Sequence, residues 1–560
     1  MLTFESPAVI VPEKDTLAFS WPPPLLLVLI YSLSFLFLGT ALHVQYGFPL
    51  DDSYIHQTVA RNLAHYGIPG FIPGQRSSGA TSLIWTCLQA AKYKFLPGVD
   101  PVAYNFFFSW IMLCLIGPLL FAIARRDGLP QRTCWLLAAT PALCGNFIWL
   151  GLIGMEHLLF VVLSLAAIYY WFDPSPNHLR TALCTGCAAG LLAITRPEAM
   201  IFAPLLIFSS LLRIRRSRTD IVAALSIWAV FLAMILGANL YTSNALMPAT
   251  LKGRNWLYFH TSGGPHSIHS VERFLGAWVQ RLPRMFSTRF VYQISSLDQV
   301  HGYFVLSGFA LAAVALFGAF YLLFQRPLRV SFLIAWAAIH CFIYLVTFPA
   351  GGHGGRYQPL TLLLFFPLLF LGILSILQWL FRIQPRALTF AMIAAIFLAG
   401  LSSLTTWRTV TIDGIAHIND THGQVVLWLK KNAPPDARIA AFDIGRISYG
   451  WGRGITDLGG LVDPSYLPYL TNGRVAQYVQ LKHIQYLVLP SQGTEDLGFG
   501  SADTTDMTKV AEYCSQTAPW LLGFRYTIHA TQCQELYQLP NPAGLQQASP
   551  LQISAGPNKN

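Results

Sequence analysis

The sequence predicts a polytopic α-helical membrane protein of about 11 transmembrane helices, followed by a C-terminal extracytoplasmic α/β domain. Three observations predict it. Charged residues make up only 11 % of the chain, against roughly 25 % in soluble domains, and the mean hydropathy is +0.49. Apolar blocks close to the ~20 residues that cross a hydrocarbon layer recur with short polar loops between them. After about residue 408 that pattern gives way to short strand-like runs and one amphipathic helix.

The spans fall at about 22–44, 103–124, 132–147, 148–172, 180–195, 197–212, 220–241, 303–325, 329–349, 358–381 and 387–407. The first apolar block has no basic n-region before it and no small-residue cleavage site after it, so it reads as a retained helix. Arginines in short loops fix the orientation. Arg125, Arg126 and Arg132 form one group, and Arg213, Arg215, Arg216 and Arg218 a second. Arg326 with Arg329, and Arg382 with Arg386, complete the set. Eleven spans with a cytoplasmic N-terminus place all four groups inside, whereas a shift of one span scatters them. The net charge of +11 therefore belongs to membrane topology and gives no ground for a nucleic-acid partner. Nine cysteines are scattered, most of them inside apolar segments, where each reads as a small buried hydrophobe.

This topology gathers the chain's charged oddities on the outer face. In "GFPLDDSYIHQTVARNLAHYG", Asp51 and Asp52 precede Ile55, Val59 and Leu63, whose spacing makes an interfacial amphipathic helix. Asp51 at the N-cap explains one carboxylate; the second needs another reason. Arg76 lies in the Gly/Pro-rich turn that follows. Glu156 and His157 sit in an apolar run, where ionisable groups usually face a cavity. Arg196 and Glu198 flank Pro197 and either pair with each other or serve a ligand. Lys252 and Arg254 lie in the 242–302 loop, and His353 and Arg356 stand among glycines in "GGHGGRYQP". His260, His266 and His269 match no familiar zinc spacing. A carboxylate beside several cations suits an acceptor hydroxyl that needs a base and a phosphate leaving group that needs positive charge. There is no P-loop and no GxGxxG after a strand.

At these residues the sequence resembles the GT-C superfamily of integral-membrane glycosyltransferases, and within it the bacterial branch containing the terminal arabinofuranosyltransferases of the mycobacterial cell wall. "DDSYIHQTVARNLAHYG" and "IPGQRSSGATSLIW" resemble that branch's first outer loop, and "GMEH" its Gly-x-Glu element. "TRPEAM" resembles its Arg-Pro-acid element and "LMPATLKGR" a Leu-Pro-x-Thr-x-x-x-Lys stretch. Asp457–Asp463 resembles an Asp-x-x-Gly-Leu-x-Asp motif in its outer soluble domain. The motifs run in order over about residues 20–490. Gln75 and Arg76, Thr58 and Leu83 depart from the pattern, which bears on sugar identity more than on reaction type.

The resemblance implies a GT-C-like transmembrane module over 1–407, with outer loops at 45–102 and 242–302, and a soluble domain over 408–560. It implies transfer of a hexosyl or pentosyl unit, with inversion, from a polyprenyl-phosphate sugar to a hydroxyl of a cell-envelope glycan, lipid or protein. The setting is the outer face of a bacterial plasma membrane. Asp51 or Asp52 would be the base, and Arg196, Lys252 and Arg356 would hold the donor phosphate. Arg76, Glu156, His157, Glu198, Arg254 and His353 would bind sugar or acceptor. No cofactor is expected and no metal ligand set is read, though a divalent metal is left open. A lipid-linked sugar flippase and a non-catalytic envelope-polymer binding protein are the alternatives. In the soluble domain a helix at about 422–433 precedes strands "ARIAAFD", "GITDL", "IQYLVLP" and "FRYTIHATQCQELYQL". Cys514 and Cys533 are its only cysteines, and an oxidising compartment would permit a bond between them.

Overall fold

The computed structural model describes residues 23–77, 79, 81–172, 177–213, 217–260, 263–286, 297–381, 385–491, 497, 499, 507–515 and 533–540. Among them, seven helices are long and apolar enough to cross a membrane: Pro23–His43, Pro101–Arg126, Arg218–Ser243, Val305–Phe324, Leu328–Thr347, Pro359–Leu380 and Phe390–Asn432. Two shorter apolar helices, His157–Trp171 and Pro197–Ser209, lie with them. The chain is a multi-pass membrane protein.

The expected span 180–195 is one unbroken helix, His178–Thr195, that is not among these seven; the others that differ have built-in breaks. The 132–147 segment folds as three pieces, Gln131–Ala139, a 3-10 turn Thr140–Leu143 and Gly145–Trp149. Pro141 removes a backbone donor there, and Gly145 packs so tightly that a Cβ would stand 2.4 Å from the Ser403 carbonyl oxygen. The helix expected from 148 starts only at His157, after Gly154 has turned the chain at φ 64°. Pro197 likewise opens a 3-10 turn before the helix Phe202–Arg213.

The bundle core is aromatic, with Trp149, Trp171, Trp336, Phe147 and Phe160 fully buried. At one end, Asp127 accepts from Arg329 Nη1 at 3.0 Å and from the backbone N–H groups of Arg329 and Val330 at 2.8 Å. These residues belong to two of the arginine-bearing loops, so loops assigned to one side by charge do meet. Arg215, Arg216 and Arg382 lie outside the described residues.

At the other end sits a five-stranded mixed sheet in the order β2-β1-β3-β5-β4. Its strands are β1 (Ile439–Ala441), β2 (Thr456–Asp457), β3 (Tyr486–Pro490), β4 (Thr508–Cys514) and β5 (Cys533–Gln538). β1 runs parallel to β2 and β3, and β5 runs antiparallel to β3 and β4. Apolar residues on β3 face both ways, as a strand buried on both sides requires; all five of its residues are buried. Cys514 and Cys533 are disulfide-bonded, tying β4 to β5. The part of the expected last strand before residue 533 lies outside the described residues. No break separates bundle from sheet near residue 408: the helix Pro385–Ile418 continues through a π-turn, Asn419–Gly423, into Gln424–Asn432.

Candidate active site

The helix Asp51–Tyr66 begins at Asp51 itself, with Leu50 before it making no side-chain cap. The expected capping role of Asp51 is therefore corrected. Its carboxylate instead accepts the backbone N–H groups of Gly445 and Arg446, both at 2.7 Å. It joins the helix Asp51–Tyr66 to the sheet domain. Gly445 is required for this approach, because a Cβ there would lie 2.0 Å from the Asp51 carbonyl oxygen. Burial pushes the Asp51 carboxyl up to about 6, against the downward pull of His422 and the two amides.

Asp52 points elsewhere. It pairs with Arg356, and Arg254 Nη2 lies 3.2 Å from its Oδ1. Burial would raise its carboxyl, but the guanidinium groups of Arg254 and Arg356 hold it well below the usual carboxylate range. Asp52 keeps 20 % side-chain exposure while Arg356 beneath it keeps 1 %. The carboxylate thus stays partly exposed while the arginine supports it from the protein side. Arg254 also donates to the Tyr258 hydroxyl at 2.8 Å.

His353 is half-buried within electrostatic reach of Arg356, Asp52, Arg254 and Arg281, and burial with the Arg356 charge pushes its imidazole down to about 3. It is neutral at physiological pH. The glycines around it serve packing. Gly354, at φ 62°, puts its α-carbon so close to Trp149 that a Cβ would fall 2.3 Å from the indole, and Asn146 donates to its carbonyl at 2.7 Å. A left-handed alanine costs about 1–2 kcal/mol before any clash. Gly354→Ala is therefore expected to lower Tm by several degrees and to cut activity by shifting Arg356, checked by thermal melting of the purified protein beside its transfer rate.

A second charged cluster adjoins the first. Arg196 donates to Glu156 at 3.0 Å and to Glu198 at 2.5 Å, and Tyr344 donates to Glu198 at 2.8 Å. His340 lies 3.5 Å from Glu198 and His56 lies 3.8 Å from Glu156, with His157 fully buried nearby. The Tyr357 ring lies 5.8 Å from the Arg196 guanidinium and 5.2 Å from that of Arg356, linking the clusters.

The fold thus assembles Asp52, Arg254, His353 and Arg356, with Arg196, Glu156, His157 and Glu198 beside them. Besides Asp51, two expected members stand apart. Lys252 is exposed, because two residues along a helix from Arg254 is a different face. Arg76 stacks over Tyr241 at 4.4 Å and lines a cavity of about 500 Å³ between the loop after the helix Asp51–Tyr66 and the sheet domain, with Arg438, Arg453, Asp463 and Lys482 opposite. Arg281, Tyr258 and Tyr344 were missed by sequence reading. Arg281 lies on an amphipathic helix, Ile268–Arg284, whose 3.6-residue pattern was the available signal.

The motif at Asp457–Asp463 positions this site indirectly. Asp457 accepts backbone N–H groups from Gly459, Leu461 and Val462 at 2.5–2.7 Å, which shapes the loop. Leu461 then accepts from Thr250 at 2.9 Å, and Gly460 packs on Gly253. The helix Ala249–Phe259, which carries Arg254, is held through that loop.

Comparison with known proteins bears on the architecture. The family model described as "Domain of unknown function (DUF8728)" matches residues 413–537. A sequence search of curated proteins finds no match. Among solved structures, the apo oligosaccharyltransferase of Archaeoglobus fulgidus superposes with a TM-score of 0.54 at 13 % identity, covering 86 % of this chain and 72 % of that one. AglB from the same organism, in complex with an inhibitory peptide and a dolichol-phosphate, gives 0.51 at 12 % identity over 89 % and 74 %. The fold is the GT-C fold. The mycobacterial arabinofuranosyltransferase AftD shares it, with a TM-score of 0.50 at 16 % identity over 92 % of this chain; this chain spans only 40 % of AftD. Asp52 pairs with Arg254 of the 242–302 segment, and Asp51 beside it binds the sheet domain.

Proposed function

We propose that this chain is a glycosyltransferase that moves a sugar from a polyprenyl-phosphate donor to a hydroxyl of a cell-envelope glycan, lipid or protein. The observation that carries the reading is a partly exposed Asp52 carboxylate paired with both Arg254 and Arg356. The chain works at the outer face of a bacterial plasma membrane, with its N-terminus in the cytoplasm and the domain after about residue 408 outside. AglB, which shares the fold, was solved with a dolichol-phosphate, a lipid phosphate of the class proposed here.

Asp52 is the base. The acceptor hydroxyl gives its proton to the Asp52 carboxylate and its oxygen attacks the anomeric carbon. The bond from that carbon to the phosphate oxygen breaks, and the electron pair leaves on the polyprenyl phosphate. A single displacement inverts the anomeric centre. Arg254 and Arg356 take the charge that grows on the phosphate. Without donor they pair with Asp52; a bound phosphate draws on the same guanidinium groups and loosens their hold on the carboxylate. Arg196 has its charge matched by Glu156 and Glu198, so it orients these carboxylates toward sugar hydroxyls instead of holding phosphate. The cavity bearing Arg76 receives the acceptor.

The test is transfer from a panel of radiolabelled polyprenyl-phosphate sugars to envelope acceptors by the purified protein in lipid nanodiscs. Label is expected to move from at least one lipid-phosphate sugar and from no nucleotide sugar. Translocation of a lipid-linked sugar across vesicles, without transfer from any donor, would replace this reading with a flippase.

A further inference from the structure

Asp51 is left outside the reaction, and its surroundings point to a second site. We propose that Asp51, His422 and Asp443, joined by Gln534, bind one divalent transition-metal cation of the Zn²⁺ or Mn²⁺ class at the junction of the helix Asp51–Tyr66 and the sheet domain.

One donor atom from each of Asp51, His422 and Asp443 lies within 4.8 Å of the others. Nε2 of His422 stands 3.6 Å from Oδ2 of Asp443. Donors about 2.1 Å from a shared tetrahedral ion are separated by roughly 3.4 Å, so this edge is already near its bound length. Small side-chain rotations close the rest.

The histidine is held ready for such an ion. Thr421 donates its hydroxyl to the His417 carbonyl at 2.6 Å, so its lone pair, 2.8 Å from His422 Nδ1, accepts the Nδ1 proton. In the neutral ring that leaves the lone pair on Nε2, 3.6 Å from the Asp443 carboxylate, where a cation would take the place of a proton. A hydrogen bond on the far ring nitrogen that fixes the tautomer is what metal-ligating histidines usually have. The π-turn Asn419–Gly423 presents this ring, and such turns cluster at functional sites.

Gln534 is the independent observation. It is 2 % exposed, and its amide nitrogen lies 2.8 Å from Asp443 Oδ2 and 3.4 Å from His422 Nε2. Its amide oxygen is buried without a hydrogen-bond partner among the described residues. Turning the amide over would give that oxygen to the cation as a fourth ligand. The second sphere is in place as well, since the Gly445 and Arg446 amides fix the Asp51 carboxylate and the Arg446 guanidinium is drawn aside over Tyr54 at 5.2 Å. Two carboxylate oxygens, an imidazole and an amide oxygen suit Zn²⁺ or Mn²⁺ better than Ca²⁺ or Mg²⁺, which prefer all-oxygen sets. The four ligands come from the helix Asp51–Tyr66, the π-turn, the segment after β1 and β5. A bound ion would lock the sheet domain against the helix that presents Asp52.

The test uses full-length, tag-free protein in detergent, stripped with EDTA and desalted. Bound metal is counted by mass spectrometry after Zn²⁺, Mn²⁺, Mg²⁺ or Ca²⁺ is added, and thermal melting is followed alongside. Wild type is expected to hold one equivalent of Zn²⁺ or Mn²⁺, to lose a few degrees of Tm on stripping, and to regain them with metal. His422→Ala and Asp443→Asn should weaken binding at least about tenfold and make Tm indifferent to EDTA. Gln534→Glu, which adds a carboxylate, should tighten binding and keeps the test valid if the other variants fail to fold. Absence of stoichiometric metal in wild type, with Tm insensitive to EDTA, would overturn the proposal in favour of a proton on His422. Equal binding by wild type and variants would overturn it too.

Discussion

Replacing Asp52 by asparagine is expected to lower sugar transfer by about 10²–10⁴-fold, the range a positioned general base supplies, with donor binding intact. Asparagine keeps the shape of the side chain but takes no proton. It also frees Arg254 and Arg356 from their counter-charge, so lipid-phosphate affinity should hold or rise while kcat collapses. Asp51→Asn should behave differently. It loses one of two amide hydrogen bonds at the domain junction, which costs stability and leaves a reduced but measurable rate. Kinetics on both variants with the active lipid-phosphate sugar separate the two roles. Full activity in Asp52→Asn would sink the mechanism, and collapse confined to Asp51→Asn would exchange the assignments.

That contrast marks how far the sequence could be read. Apolar blocks, arginine parity and the outer-face motifs were enough to place the acid pair, the glycine-rich loop and the sheet domain at one end of the bundle. The contacts of Asp52 with Arg254 and Arg356, and of Asp51 with Gly445, bring those segments together. Sequence could not divide the pair, because neighbouring helix residues point about 100° apart and only the packed partners decide which one meets the arginines. It also could not show that Arg196 is already neutralised, since Glu156 is 40 residues away in the chain. Glycines such as those of "GGHGG" can let a ligand approach the backbone, yet Trp149 fills the space beside Gly354. His422 carried no signal at all: it becomes a candidate ligand only through a π-turn, a departure from regular helix that periodicity does not encode.

Arg356 offers the other large effect, because it acts on both partners of the reaction. Arg356→Ala is expected to lower kcat/KM by about 10²–10³-fold, the usual loss when one group stabilising developing charge is removed from a sheltered site. Its pH profile should move as well. The base works only when ionised, so activity is lost as pH falls through the carboxyl's pKa. Arg254 and Arg356 hold that pKa well below the ordinary value. With Arg356 gone, burial is opposed by Arg254 alone, the pKa rises, and the acid limb of kcat/KM shifts to higher pH. The same sign governs stability: a depressed carboxyl stabilises the fold above its unfolded pKa and loses that contribution as pH falls, so the variant should gain less stability than wild type between pH 2 and pH 5. Arg356→Lys separates charge from shape. A lysine keeps the charge but not the fork that spans carboxylate and phosphate, so the acid limb should stay near that of wild type while donor affinity drops. If Arg356→Ala kept the wild-type acid limb, Asp52 would not be the titrating base, however large the loss of rate.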